Sequence, residues 1–317
     1  MQGNFEKAAE FYSKALVYDP QHFQSLFNRG FSFDKLGRPA DAIADYTAAI
    51  ELQPGNSYAY YNRGITRDRQ EDFQGAVEDF TKAIELDSSV SDFYHNRGFS
   101  LRKLVRFPHL AVKVLHGKCW SKEWSWICCT TGQRRGMSGG TLSTTSGWVQ
   151  NKFEEAVADY TTAVTLNPRH CRAYYNRAYS YERLERFREA IADYNAAVAL
   201  DPSHSTSFHN RGSLFERLGD TARAMKDFNQ AIQLDPEAAC SYNARALLLE
   251  ADRKLEAALA DYSRAIELDP QQEIFYRNRG VCLRACGRYE DAAADLARCA
   301  APLELHPTRY PHASHRW

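Results

Sequence analysis

The 317 residues carry 40 basic and 40 acidic side chains, with 44% apolar and 25% charged residues, the balance of an ordinary globular chain. A net charge of zero excludes the basic field that polyanion binding needs, and no run of about 18 apolar residues marks a membrane span. The opening residues MQGNFEKAAEF lack a basic n-region and an apolar h-region, no Asn-x-Ser/Thr sequon occurs, and the eight cysteines are irregularly spaced. Free thiols in a reduced cytoplasmic or other intracellular compartment are therefore expected.

From the N-terminus onward the apolar spacing is helical and restarts on a fixed ruler. Pro20 and Pro54 are 34 residues apart, Pro168, Pro202, Pro236 and Pro270 continue at that interval, and Ser88 and Glu304 fill the same phase. Ten residues after each marker stands a small residue: Gly30, Gly64, Gly98, Ala178, Gly212, Ala246 or Gly280. Twelve before it stands an alanine, from Ala8 and Ala42 through Ala258 and Ala292. Eight before it the residue is large: Tyr12, Tyr46, Phe80, Tyr160, Tyr194, Phe228, Tyr262 or Leu296. Stripes such as Phe208, Gly212 and Phe215, followed by Ala224, Phe228 and Ala231, predict two antiparallel helices per unit. Gly37, Gly219 and Gly287 are expected to end first helices, Pro39 suits the first turn of a second, and the marker proline stops the second because it has no amide hydrogen. A lone pair of this size cannot bury its own faces, since chains below about 40 residues rarely fold unaided. Stacking is required.

In chain order, residues 1–104 read as a half repeat, two full repeats and the first helix of a third. Residues 105–150 are an irregular insertion in the turn of that third repeat, 151–304 are the second part of the array, and 305–317 are a disordered tail. Phe107 and Phe153 hold one phase, and removing the 46 residues from Val105 to Gln150 restores the ruler. The insertion contains CWSKEWSWICC at 119–129 and the loop-like GQRRGMSGGTLSTTSG. Its ends fit a valine codon beginning GT and the glutamine codon CAG, and its length in codons is in frame, so it reads as a translated retained intron. A Trp-rich binding loop or a metal cluster is the alternative, but Cys119, Cys128 and Cys129 lack a fourth ligand at a familiar spacing. The chain opens inside a repeat at Gly3 and Phe5, and the pattern decays at Cys299, Ala301 and Pro302. A fragment of a longer array, or an imperfect gene model, is expected, with uncapped ends that could stack end to end in self-association.

The period, the small residues, the aromatics and the prolines resemble the tetratricopeptide repeat. The resemblance covers nearly everything outside 105–150 and the last dozen residues, in about seven full copies and an N-terminal half. It implies an all-α fold, a right-handed α-solenoid or superhelix of antiparallel helix pairs. First helices in this family line a concave groove that holds peptides or helices of other proteins.

Eight residues after the markers stand Asn28, Asn62, Asn96, Asn176, Asn210 and Asn278, with Ala244 breaking the series. Seven residues further, two helical turns away and so on the same face, stand Lys35, Arg69, Lys103, Arg183 and Arg217. One position before the asparagines stand Phe27, Tyr61, His95, Tyr175, His209, Asn243 and Arg277. A carboxamide both donates and accepts, so this row can pair with successive amides of an extended peptide, and it resembles the asparagine ladder of O-GlcNAc transferases. The structural alternative is that the asparagines bond to neighbouring helix backbone and fix the stacking angle. A second pair of columns, Arg29, Arg63, Arg97, Arg177, Arg211, Arg245 and Arg279 against Asp45, Asp79, Asp159, Asp193, Asp227, Asp261 and Asp295, predicts ion pairs within or between units, worth ~0–1 kcal/mol each if exposed. Equal numbers of aspartates cancel the field that phosphate binding would need.

The family's carboxylate clamp for acidic chaperone tails is absent. Its lysine position holds Phe27, Tyr61, His95 or Tyr175, and its second asparagine position holds Phe31, Ile65, Phe99 or Tyr179. A bulky wall suits a partner with apolar side chains. No phosphate-cradling loop, dinucleotide fingerprint or His-Glu-x-x-His occurs, and Cys282 and Cys286 read as packing thiols. The expected function is a non-enzymatic protein–protein interaction scaffold holding a peptide or helix, without cofactor, metal, nucleic acid or membrane. The rival is the substrate-recognition arm of a larger enzyme, such as an O-GlcNAc transferase-like glycosyltransferase, whose catalytic domain is not in this chain.

Overall fold

The computed structural model describes residues 2–106 and 141–300, and every regular element among them is an α-helix. The chain divides into two units, Met1–Asp201 and Pro202–Trp317. The first holds α1 (Gln2–Tyr18), α2 (Phe23–Lys35), α3 (Pro39–Leu52), α4 (Ser57–Arg69), α5 (Phe73–Leu86), α6 (Ser91–Arg106), α7 (Thr141–Leu166), α8 (Cys171–Arg183) and α9 (Phe187–Leu200). The second holds α10 (Ser205–Arg217), α11 (Thr221–Leu234), α12 (Ala239–Ala251), α13 (Leu255–Leu268), α14 (Glu273–Ala285) and α15 (Tyr289–Ala300). Within each unit every helix packs on the next in the chain, and alternate first helices also touch: α2 with α4, α4 with α6, α6 with α8, and α12 with α14. Each unit is thus a stack of helix pairs, the solenoid arrangement in which each repeat contacts its neighbours.

The ruler works through size complementarity. The alanines Ala42, Ala76, Ala156, Ala190, Ala224 and Ala258 are fully buried, as are Tyr160, Tyr194, Phe228 and Tyr262. A Cβ at Gly64 would meet the Phe80 ring at 2.8 Å, so the first helix approaches the second more closely there than a side chain permits. The marker prolines act one step earlier than their own position. Second helices end two residues before them, at Leu52, Leu200 and Leu268, and the residue ahead of proline is the C-cap with ψ between 79° and 91°, as steric pressure from the ring requires.

First helices end with a left-handed residue at Gly37, Gly219 and Gly287, as expected, with φ of 70–78°. The other described turns use the same geometry with Glu71, Glu185 and Arg253, at φ of 60–62°. In each the next amide reaches back to close the turn, as Arg38 N–H does to the Phe33 carbonyl at 2.9 Å and Asp72 N–H to Arg67 at 3.0 Å. Side chains compensate at the other end: the Asn56 side chain caps α4 by accepting the Ala59 amide, and Asp72 and Asp220 accept from Gly75 and Arg223.

The arginine and aspartate columns meet in all seven places. Each arginine donates through Nε and Nη2 to both oxygens of its aspartate at 2.6–3.0 Å, pairing the two helices of one repeat. Nη1 of Arg29, Arg63, Arg97 and Arg177 reaches the preceding second helix at Ser13, Thr47, Thr81 and Thr161, and within the second unit Arg245 reaches Asn229 and Arg279 reaches Ser263. The ion pairs thus form within a repeat and not between adjacent repeats; what each of these arginines sends to the preceding repeat is a hydrogen bond to a neutral side chain. The pairs are not exposed: the aspartate side chains are 4–11% accessible and the arginines 13–24%. They therefore lie closer to the buried regime than to the exposed one.

Two boundaries shift. Val105 and Arg106 continue α6, and residues 141–150, expected as part of an irregular insertion, are the first turns of α7. A helix already nucleated by the packed Phe153, Ala156 and Tyr160 gains a backbone hydrogen bond for each residue added, so it extends past the repeat boundary at little cost. Residues 107–140, with the Trp-rich stretch, and the expected tail 305–317 lie outside the described residues.

Candidate functional site

The asparagine row runs along the first helices, and each member has a definite environment. In α2, Asn28 is half-buried and accepts from Gln24 Nε2 at 3.0 Å. Asn96 Nδ2 donates to the Tyr61 hydroxyl at 3.0 Å and to the Asp92 carbonyl at 2.9 Å. Asn176, buried, donates to His95 Nε2 at 3.0 Å, and Asn278 donates to Asn243 Oδ1 at 3.0 Å. Asn96, Asn176 and Asn278 therefore bond back to the side chain just ahead of the asparagine in the previous repeat, linking neighbouring first helices through side chains and not through the helix backbone that the structural alternative expected. Asn62 makes no such bond: the side chain of its predecessor, Phe27, has no polar atom, and the half-buried Asn62 carboxamide has no partner among the described residues. Asn210 is half-buried in α10.

The aromatic members pack rather than project. The Tyr61 ring lies 4.8 Å from Phe93 and 5.8 Å from Phe80, and burial pushes its phenol up to about 12, so it stays a neutral donor and acceptor. Tyr175 sits 5.9 Å from Tyr194. His95 is stacked 4.7 Å from His170 and 5.8 Å from Tyr160. Burial first, then the nearby His170, Arg172 and Arg102, push His95 down to about 3, so it is neutral and its Nε2 accepts the Asn176 amide.

The basic row is partly engaged. Arg69 pairs with Asp34, and Lys103 Nζ lies 3.1 Å from Asp68, each reaching 35 residues back to the preceding first helix. The same aspartates accept Thr66 Oγ1 at 3.1 Å and Ser100 Oγ at 2.6 Å. Asp34 and Asp68 were missed in the sequence, although an acid directly before the basic residue is the available signal. Lys35 Nζ lies 5.0 Å from the Phe31 ring, Lys103 4.6 Å from Phe99, and Arg102 lies 5.1 Å from Phe99 and 4.7 Å from Tyr179. Arg183 and Arg217 are exposed.

The wall thus alternates carboxamides, half-exposed rings and cations stacked on those rings. Two clefts, of about 520 Å³ beside Ser13 and Phe33 and about 330 Å³ beside Leu283 and Asp295, contain none of these candidate residues. Cys282 is buried beside Leu283, and burial pushes its thiol up to about 12, the state of a packing group. Among the described residues no group of three or more His, Cys, Asp or Glu side chains could hold a metal, and no helix is long and apolar enough to cross a membrane.

No curated protein matches the sequence. Solved structures do match the fold. YrrB, described as a TPR protein with an unusual peptide-binding site, aligns with TM-score 0.53 and 19% identity over 75% of this chain and 98% of its own. A tetratricopeptide repeat protein from Parabacteroides merdae aligns with TM-score 0.57 and 20% identity over 88% and 92%. The APC/C hetero-tetramer Cut9-Hcn1 aligns with TM-score 0.57 and 12% identity over 89% of this chain and 46% of the other. The tetratricopeptide repeat model matches residues 32–91, 146–205, 175–239, 209–273 and 243–307. These matches span more than half of the chain and carry the period read from its prolines, and the protein belongs to the tetratricopeptide repeat family.

Proposed function

We propose that the protein is a non-enzymatic interaction scaffold that holds a segment of a partner protein, extended or helical, against the faces of its first helices. The observation that carries this is the composition of that wall: Phe31, Ile65, Phe99 and Tyr179 offer apolar contact, while Asn62 beside Tyr61 offers a carboxamide free to pair with a peptide amide. A backbone-directed bond of this kind is indifferent to the partner's side chains, and the rings would supply the selectivity. The peptide-binding site named for YrrB, a fold neighbour, supports the same use of this fold.

The test is selection of random displayed peptides on the full chain, followed by affinity measurement with the double variant Phe31→Ser, Phe99→Ser. Both rings are at least partly exposed, so the fold should survive. A loss of about tenfold or more in affinity, with the thermal transition retained, is expected from removing two hot-spot rings. Unchanged affinity would remove these faces from the binding surface.

A further inference from the structure

In the first unit, one position on the first helices completes an acid–base pair at two successive junctions. Asp34 takes Arg69 from the next first helix, and Asp68 takes Lys103. At the third junction the acid is replaced: the residue in line with Asp34 and Asp68 is Arg102. Its counterpart on α8 is Arg183, exposed and without an ion-pair partner among the described residues. The register is secure across the intervening stretch, because Asn176 meets His95 as Asn96 meets Tyr61, and Arg102 stacks on Tyr179 of α8. By register, two arginines thus occupy the places that an acid and a base hold at the junctions before them.

A second observation points the same way. In the next repeat the Tyr194 hydroxyl donates to Glu182 at 3.4 Å, and in the second unit Tyr262 donates to Glu250 at 2.8 Å. Glu182 and Glu250 occupy the Arg102 position of their repeats. Tyr160 is the tyrosine of the Arg102 repeat; it is fully buried, and its hydroxyl has no partner among the described residues. A buried donor without an acceptor is costly and uncommon. Residues 107–140, which follow α6 in the sequence, are net basic, with five lysines and arginines and one glutamate.

We infer that Arg102 and Arg183, above the Tyr160 hydroxyl, form a subsite for a carboxylate, supplied by an aspartate or glutamate side chain of the partner segment. The assignment of the carboxylate to a partner rests on the scaffold reading above. The charge and the orphaned hydroxyl do not. Guanidinium groups suit a carboxylate because their fork of donors matches its two oxygens, and the Phe99 and Tyr179 rings flanking Arg102 hold that fork in place.

The test uses the full chain with free glutarate as the probe, and sodium chloride at matched ionic strength as the control. Glutarate is expected to raise the wild-type melting temperature above the control. Arg102→Glu, which restores the acid–base pair and gives Tyr160 an acceptor, is expected to raise the baseline melting temperature and abolish the glutarate response. Arg183→Gln, at an exposed position that leaves the fold intact, is expected to abolish the response alone. An equal glutarate response in wild type and both variants, or none in wild type, overturns the subsite. In a second arm, glutamates in peptides selected on the wild type are replaced by glutamine, with about tenfold weaker binding expected for wild type and no change for Arg102→Glu. Peptides that bind with no dependence on an acid overturn the subsite while leaving the scaffold reading standing. A glutarate response without any selected peptide does the reverse: the site then serves a free anion.

Discussion

Arg97 in α6 and Asp159 in α7 are 62 residues apart and form the same two-pronged pair, at 2.9 and 2.6 Å, that Arg29 and Asp45 form across 16. The difference is the 46 residues between Leu104 and Asn151, which the repeat accommodates without loss of register. Joining Leu104 directly to Asn151 is therefore expected to give a folded protein whose cooperative thermal transition is at or above that of the full chain. A closed loop shortened this much lowers the entropy cost of folding by about 1 kcal/mol. Loss of helical circular dichroism or of cooperativity in the deletion variant would contradict the register.

The Arg177–Asp193 pair is largely buried, with 14% and 8% of the side chains accessible. Asp193→Ala leaves a guanidinium with no carboxylate, and a loss of about 2–4 kcal/mol in denaturant unfolding is expected. Replacing both partners with leucine should cost less than the single change, because no charge is then stranded. A single-variant loss below that of the double would refute the assignment of the ladder to the buried regime.

Glu71, Glu185 and Arg253 hold left-handed backbone where three other turns use glycine. The conformation costs a side-chain-bearing residue about 1–2 kcal/mol, against about 0.5–1 kcal/mol for the extra freedom of glycine in the unfolded chain. Glu185→Gly is therefore expected to stabilise by up to about 1 kcal/mol, read from the denaturant midpoint. The converse change, Gly219→Ala, at φ 78°, should destabilise.

These positions also show what was legible beforehand. The ruler exposed Tyr46, Ala42 and Gly30 because packing two helices closely demands fixed sizes at fixed intervals, and a demand of that kind repeats in the sequence. Glu185 was opaque because the turn imposes its geometry whatever the residue, so no glycine marked it. The helix over 141–150 was hidden for a related reason: extension from a packed nucleus needs no apolar stripe of its own. Among the site residues, Asn176 and His95 were each visible in a column, but their bond crosses 81 positions and two columns offset by one. Asp34 and Asp68 recur only twice, too briefly to stand out as a series.

His95 has a definite pH signature. Buried and neutral, it is pushed down to about 3, whereas an unfolded histidine titrates near 6.5, and burial pushes His209 down as well. The unfolded chain therefore binds more protons at His95 between those values, so the stability His95 contributes is complete above about pH 6.5 and falls as pH drops toward 3, by up to about 1.4 kcal/mol per pH unit, and His209 acts in the same direction. Denaturant stability measured between pH 7 and pH 5, above most carboxylate titration, should decline more steeply for wild type than for His95→Tyr, which places at 95 the residue found at 61. Equal slopes would mean that His95 is protonated in the folded protein.

The most direct measurement compares Asn62→Ala with Asn176→Ala, using a peptide selected on the wild-type chain and recording both affinity and melting temperature. Asn62 has no partner in the stack, while Asn176 is bonded to His95. If the first-helix faces hold a partner segment, Asn62→Ala weakens the peptide while leaving the melting temperature within a degree or two of wild type, and Asn176→Ala lowers the melting temperature by several degrees, as loss of a buried hydrogen bond of about 1 kcal/mol would. Unchanged peptide affinity in Asn62→Ala, with binding that also survives loss of the Phe31 and Phe99 rings, would contradict the proposed binding face.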